Sequence, residues 1–397
     1  MNKVLLACFV LFSFQAIAQE NSNNLFVGHP DRIKTLDSLI AQSSRLALRK
    51  SDYANAFKKA GMATEKQDSM YMHVAIRFFT HLAYGNQAPV LQYNGVKFKL
   101  NAYDVPALVK QYVQEKSMDE LVQLFSNNTV EVKTLLNTLH YYQDSNRKAT
   151  SKIDLLLKAT NEYRWLNAIK KGNRIILVNI PSAQLKAFDQ NQMVLSMRVV
   201  VGKLSTPTNT MSSTVEKIVV NPYWTVPKSI AGKEMLPKII ENVNYLADNH
   251  LQVLNEKGKP IAPESIDWQS YSEENFPFVI RQETGTENSL GILKVDFDSP
   301  FGIYLHDSPE KALFSNSNRF YSHGCMRMEK PVEMGKWLTQ NNKQALDTFD
   351  FKKITKNIPP KYIPITLTTY VIVWYSLVDF DTKGNVKFYK DWYEKSK

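Results

Sequence analysis

Arg174-Ile175-Ile176-Leu177-Val178-Asn179-Ile180 decides how the chain is read. It is an aliphatic, β-branched run two residues after Gly172, and it reads as a strand. Gln184 to Phe188 and Met193 to Val201 read as two more, with Asp189-Gln190-Asn191-Gln192 as the turn between them. Lys217 to Asn221 continues the pattern. Strands recurring at this spacing without long helices between them favour a β-sandwich or barrel. Glu234 to Leu254 interrupts them as a helical insertion, and β-type sequence returns at Phe278 to Gln282, Leu290 to Phe297 and Gly302 to Leu305. Pro331 to Asn341 reads as a helix with proline in its first turn. Residues 362 to 395 return to strands, with Asp381-Thr382-Lys383-Gly384-Asn385 as a glycine-bearing hairpin turn. The Thr-rich, β-branched run Ile365 to Val378 is too short to span a bilayer and reads as a buried strand or strand pair.

Upstream of Gly172 the texture is helical. Ile33 to Leu48, Asp68 to Tyr84, Val105 to Gln114, Met118 to Leu124 and Val130 to Tyr142 carry apolar residues at three- and four-residue spacing. Gly85-Asn86 and Ser126-Asn127-Asn128 read as breaks, and the alternation in Val90 to Leu100 suggests a small hairpin. His73, His81 and His140 have no ligand-like spacing and read as helix-surface or packing residues.

The 397 residues exceed one ordinary domain. With 44% hydrophobic and 22% charged residues the composition is globular. Residues 1–18 read as an export leader: Lys3, an apolar run from Val4 to Phe14, and Ala16-Ile17-Ala18 as a small-x-small cleavage site. Leu5-Leu6-Ala7-Cys8 is a weaker lipobox-like alternative. Without Lys3 the chain has 48 basic and 38 acidic residues, a net charge of +10. A basic exported protein suits an anionic wall polymer or membrane surface. Export, and the absence of an Arg/Lys-rich helix or tail, argue against nucleic acid.

Once the leader is removed, one cysteine remains, in Ser322-His323-Gly324-Cys325-Met326-Arg327. A lone thiol outside the cytoplasm is an oxidation liability with no disulfide partner, which makes Cys325 a candidate nucleophile. A thiolate nucleophile needs a base, a group that fixes the base's tautomer, and donors for the oxyanion. His323, two residues before the cysteine, and His306, which ends an expected strand, can be that base. Gly324 lets its own N–H and that of Cys325 face one point, and Arg327 can pin a carboxylate or the loop. Two other readings stay open on the residues alone: Cys325 as inert packing, and a metal site from His306, His323 and Cys325.

Tyr304-Leu305-His306-Asp307 followed by Ser322-His323-Gly324-Cys325-Met326-Arg327 resembles the signature of the L,D-transpeptidase (YkuD-type) catalytic domain. Asn179-Ile180-Pro181, Val199-Val200-Val201-Gly202-Lys203 with Thr206-Pro207-Thr208, Asn221-Pro222-Tyr223-Trp224-Thr225-Val226-Pro227, and Ile280-Arg281-Gln282 with Asn288-Ser289-Leu290-Gly291 resemble its large, lid-bearing periplasmic branch in Gram-negative bacteria. The final Val378-Asp379 to Tyr393 and, more weakly, Met72 to Pro89 resemble the same branch.

The resemblance implies an α+β multidomain chain. Residues 1–18 are the signal peptide and 19–165 a mostly α-helical scaffold domain. Residues 172–345 are a β-sandwich-like catalytic domain with a helical lid insertion at about 230–267, and 346–397 a C-terminal β extension. The implied activity is peptidoglycan cross-linking in cell wall biogenesis, in the periplasm. Cys325 would attack the carbonyl before the terminal D-Ala of a tetrapeptide stem, and the thioester would pass to a diaminopimelate amine, forming a 3-3 cross-link. His306 would be the proton donor and acceptor, oriented by the backbone carbonyl of Asp307. Gly324 would supply oxyanion-hole backbone. His323, Arg327, Tyr304, Tyr223 and Trp224 would form the substrate-binding surroundings, with His323 shaping the Cys loop. No metal or other cofactor is implied. Peptidoglycan stems, and other cell-wall enzymes, would be the partners, with no integral membrane segment. Carbapenems would leave a long-lived thioester on Cys325.

Many members of the branch carry a small peptidoglycan-binding domain, and Tyr142 to Tyr163 is too short for one. An L,D-carboxypeptidase or a hydrolase releasing wall-bound proteins would use the same site. A silent wall-binding module is disfavoured because both His306 and Cys325 are present. Papain-like and NlpC/P60-type peptidases place Cys before His, the reverse of this order.

Overall fold

The computed structural model describes residues 24–54, 64–126, 129–145, 149–342, 346, 351, 354–355 and 358–395. The expected leader, residues 1–18, and part of the break at Ser126-Asn127-Asn128 lie outside them. Two units separate. One comprises residues up to Leu82 together with Asp104–Phe125, and the other comprises Ala83–Tyr103 together with Ser126 onward.

The first unit is helical: α1 (Pro30–Ala41), α2 (Ser51–Ala54), most of α3 (Thr64–Tyr84), α4 (Val105–Glu115) and most of α5 (Met118–Ser126). The apolar spacing puts Leu36, Phe78, Phe79, Leu82, Val109, Leu121 and Phe125 in its interior, each fully buried. Asp104 caps α4 by accepting from the N–H of Ala107 at 3.1 Å. Buried Asp68 accepts from the N–H groups of Leu25, Phe26 and Val27 and so fastens the segment that precedes α1.

The second unit holds α6 (Val130–Asp144), α7 (Thr150–Lys170) and α11 (Pro331–Leu338). Its strands are β1 (Tyr93–Asn94), β2 (Arg174–Asn179), β3 (Gln184–Asp189), β4 (Gln192–Gly202), β5 (Met211–Val220), β6 (Trp224–Thr225), β7 (Leu251–Leu254), β8 (Pro260–Ile261), β9 (Val279–Gln282), β10 (Leu293–Phe297), β11 (Leu305–His306), β12 (Phe320–Ser322), β13 (Met326–Met328), β14 (Lys361–Pro364), β15 (Thr369–Trp374), β16 (Val378–Phe380) and β17 (Val386–Phe388). Eleven of them form one sheet with the path β1-β5-β10-β11-β13-β4-β3-β2-β15. β15 pairs with β5 as well, so the path closes on itself. Closure is possible because β5 is ten residues long. Its C-terminal half pairs with β10 and its N-terminal half with β15. The closed path encloses one apolar cluster that includes Ile176, Val178, Val199, Val201, Ile218, Val220, Leu293, Val295, Leu305, Met326 and Met328.

Tyr163 on α7 donates to Asp379 at 2.6 Å, and buried Asp379 also accepts from Asn179, Ser182 and Lys186. The end of the helical stretch is thereby fixed to β2, β3 and the hairpin β16–β17. In that hairpin turn Asp381 accepts from the N–H groups of Lys383 and Asn385, as its Asx chemistry favours.

Two local expectations differ from the structure. Val90 to Leu100 does not form a hairpin: Tyr93–Asn94 pairs in parallel with Met211–Ser212 of β5. The insertion is helical only through α8 (Lys228–Ile230), a π-helical turn (Ala231–Met235), α9 (Leu236–Glu241) and α10 (Tyr245–Asp248). Leu251–Leu254 is then a strand of a separate four-stranded sheet, β6-β9-β7-β8. Its apolar residues pair across β9, which gives that stretch a partner no local periodicity reveals.

Candidate active site

β11 and β13 pair in parallel, Leu305 opposite Met326 and His306 opposite Arg327. Side chains alternate across a strand. Leu305 and Met326 are fully buried in the core, so His306 and Arg327, the next residue of each strand, face the other way, while Tyr304 and Cys325, just before the two strands, are partly buried and pack against that core. The Met326 N–H donates to the Tyr304 carbonyl at 3.0 Å, which carries the ladder back to the residues beside the strand ends. β10 adds Lys294, in register with His306. The Lys294 Nζ lies 4.0 Å from the Tyr304 ring centroid and 2.8 Å from Asp296.

His306 is only 5% exposed. Its Nδ1 lies 2.5 Å from the carbonyl oxygen of Asp307. A carbonyl can only accept, so Nδ1 carries a hydrogen and the neutral ring keeps its lone pair on Nε2. Burial, then the charges of Arg327 and Lys294, push the His306 pKa down to about 3, against hydrogen bonds with the Asp307 and Leu290 backbone, which favour the charged form. The ring is therefore a neutral acceptor at physiological pH.

Asp307 is itself clamped. Its N–H donates to Leu293 O at 2.8 Å, its carboxylate accepts from the Ile292 N–H at 3.0 Å, and Lys311 pairs with it. Gly291 lies against that carboxylate with φ +60°, and a Cβ there would come within 2.3 Å of it. The Asp307 side chain thus orders the backbone that aims His306.

Cys325 is a partly exposed free thiol. Burial pushes its pKa up, opposed by hydrogen bonding from Tyr304 and by the positive charges of Lys294 and Arg327. The Tyr304 hydroxyl is raised by burial and by Cys325 beside it, and it also meets the Trp224 side chain. The turn before Cys325 is fixed by hydroxyls. Ser322 Oγ donates to Cys325 O at 2.5 Å and accepts from the Gly324 N–H at 3.1 Å. Thr208 Oγ1 donates to Gly324 O at 2.8 Å. Lys203 N–H and Thr206 Oγ1 both donate to Ser322 O. Gly324 has φ +117°, a conformation that favours glycine. Its N–H, expected among the oxyanion donors, is taken up by Ser322 Oγ. Among the described residues no acceptor meets the Cys325 N–H.

The remaining expected residues separate. Arg327 pairs with Glu310. His323, with its side chain 34% exposed, places Nε2 2.7 Å from Glu234 Oε1. The two histidines thus have different partners and do not converge. Trp224 meets Tyr304, but Tyr223, one residue earlier in the chain, stacks under the Arg281 guanidinium at 4.4 Å. The sequence reading missed Lys294, Ser322, Thr208 and Glu234. Lys294 had a signal in the alternation of Leu293-Lys294-Val295, and Ser322 and Thr208 stand inside quoted motifs. Glu234 had none.

Residues 173–353 match the model of the YkuD family, the L,D-transpeptidase catalytic domain. The helical N-terminal region is followed by a β-rich part that matches the L,D-transpeptidase catalytic domain. The chain is 33% identical over 219 residues to a curated protein of Haemophilus influenzae named "Putative L,D-transpeptidase", covering 54% of this chain and 44% of that one. It thus spans less than half the length of that relative. Among solved structures, an L,D-transpeptidase from Mycobacterium smegmatis aligns at 12% identity and TM-score 0.26, over 51% of this chain and 58% of that one. The ertapenem-acylated catalytic domain of the E. faecium L,D-transpeptidase aligns at 14% and TM-score 0.25, over 51% and 97%. Likenesses at that level carry no functional inference.

Proposed function

We propose that this chain is an exported peptidoglycan L,D-transpeptidase with Cys325 as nucleophile. The observation that carries the reading is the pairing of β11 with β13. A free thiol hydrogen-bonded by a tyrosine stands where the two strands begin, and β11 carries a buried imidazole whose Nδ1 is tied to a carbonyl. The thiol proton moves to His306 Nε2 as Sγ attacks the carbonyl before the terminal D-Ala of a tetrapeptide stem. The C–N bond breaks and His306 returns the proton to the departing D-Ala amine. A diaminopimelate amine then attacks the thioester, forming a 3-3 cross-link and regenerating the thiol. The Cys325 N–H, whose donor capacity is open, is the backbone donor for the oxyanion, while Gly324 shapes the turn. Tyr304 with Lys294 above its ring stabilises the sulfur's negative charge. The +10 charge expected after leader removal suits an anionic wall in the periplasm.

The test incubates the purified protein with disaccharide-tetrapeptide muropeptides. D-Ala release with 3-3 dimers, both lost in Cys325→Ala, is the expected result. D-Ala release with tripeptide monomers alone makes the enzyme an L,D-carboxypeptidase. No D-Ala release at all sinks the reading.

A further inference from the structure

The small sheet β6-β9-β7-β8 and helices α8 to α10 have an apolar cluster of their own, built from Val226, Ala231, Met235, Leu236, Ile239, Trp268 and Ile280. It shares no residue with the core of the main sheet. An element with a separate core can shift as a body if its ties to the rest are few. Trp224 and Glu234 tie this insert to the surroundings of Cys325: Trp224 meets Tyr304, and Glu234 meets His323 and Lys203.

We propose that Glu234 is a positioning residue that latches the insert onto the Cys325 turn through the hydrogen bond with His323 Nε2. This rests on reading the insert as the cover of the acyl-donor site. The latch is anchored on both sides. Glu234 lies in the π-helical turn Ala231–Met235, in which Ala231, Gly232 and Met235 are buried. Turns of this kind shift the side-chain register locally and concentrate at functional sites. Lys233 pairs with Glu273 at 3.2 Å, and Gly232 packs so closely that an added Cβ would stand 3.1 Å from the Glu273 backbone. The direction of Glu234 is therefore set by the insert. On the other side, His323 stands between Ser322 and Gly324, both fixed by the hydroxyl bonds of the turn. Lys203, whose N–H holds Ser322 O at 2.9 Å, places Nζ 4.0 Å from Glu234 Oε1 and 3.3 Å from His323 Nε2. One nitrogen cannot donate to Glu234 and accept from Lys203 with the same site. Lys203 thus serves as a countercharge, and the His323–Glu234 bond is the directional contact.

Glu234, His323 and Lys203 are all partly exposed, so the latch is weak enough to open, and its loss should change closure by about fivefold. The experiment uses the full chain with Glu234→Ala and Glu234→Gln. Alkylation of Cys325 is timed with small iodoacetamide and with a bulky polyethylene-glycol maleimide. KM and kcat for D-Ala release are measured alongside. Glu234→Ala should raise the bulky-to-small rate ratio about fivefold and raise KM by a similar factor with little change in kcat. Glu234→Gln, which keeps an acceptor for His323, should stay within twofold of wild type. An unchanged ratio in Glu234→Ala, or a Gln variant equal to the Ala variant, overturns the latch. The alkylation arm needs no turnover. A ratio that responds in a protein releasing no D-Ala keeps the latch and rejects the transpeptidase reading. A protein that turns over with an unresponsive ratio does the reverse.

Discussion

The face that carries Cys325 and the insert that reaches toward it are built on different cores. On the main sheet, every second residue of β10, β11 and β13 is locked into one interior, and the residues between them carry the chemistry. The insert packs on its own cluster and touches the site through single side chains. The two histidines show the consequence. His306 is buried and held by a backbone carbonyl, whereas His323 is partly exposed and held by a carboxylate of the insert. The sheet and a backbone carbonyl fix His306, whereas His323 is held by side-chain contacts from Glu234 and Lys203.

The comparison is tested most severely at the thiol. Cys325→Ala should abolish D-Ala release and carbapenem acylation while leaving the thermal transition in place. Residual acylation, located by intact mass and peptide mapping, would move the nucleophile elsewhere.

The histidines should then divide. His306→Ala removes the base and should lower turnover about 10²–10⁴-fold. His323→Ala should cost less than about tenfold, because it removes only a positioning contact. Steady-state D-Ala release measures both, and a reversed order would make His323 the base.

A smaller effect tests the clamp beneath His306. Gly291→Ala puts a Cβ into the Asp307 carboxylate at φ +60°. Strain and displacement together should cost roughly 2–3 kcal/mol, seen as a lower urea midpoint. An unchanged midpoint would mean that Asp307 can move freely.

The pH dependence is the mildest test. His306 is held neutral down to about pH 3, and the thiol is raised above its ordinary value. A resting thiolate–imidazolium pair is therefore not favoured. Iodoacetamide alkylation should rise steadily with pH between about 6 and 9, as the thiol ionises. A plateau below about pH 7 would show the ion pair instead.

The amino-acid sequence by itself marked His306, at the end of an expected strand, and Cys325, in Ser322-His323-Gly324-Cys325, because both are local properties of the chain. The helical texture of the first part, the strands after Gly172 and the hairpin turn at Asp381 to Asn385 were legible for the same reason. Only the tertiary structure decided the rest. That β11 runs parallel to β13, that β5 closes the strand path, that Tyr93–Asn94 finds β5 instead of its own neighbour, and that Leu251–Leu254 leaves the helical pattern depend on partners far away in the chain. The same holds for the Gly324 N–H, taken up by Ser322, and for His323, whose partner Glu234 stands 89 positions earlier. Alternation and propensity act over a few residues, whereas the acceptor a donor finds is fixed only when distant segments close around it.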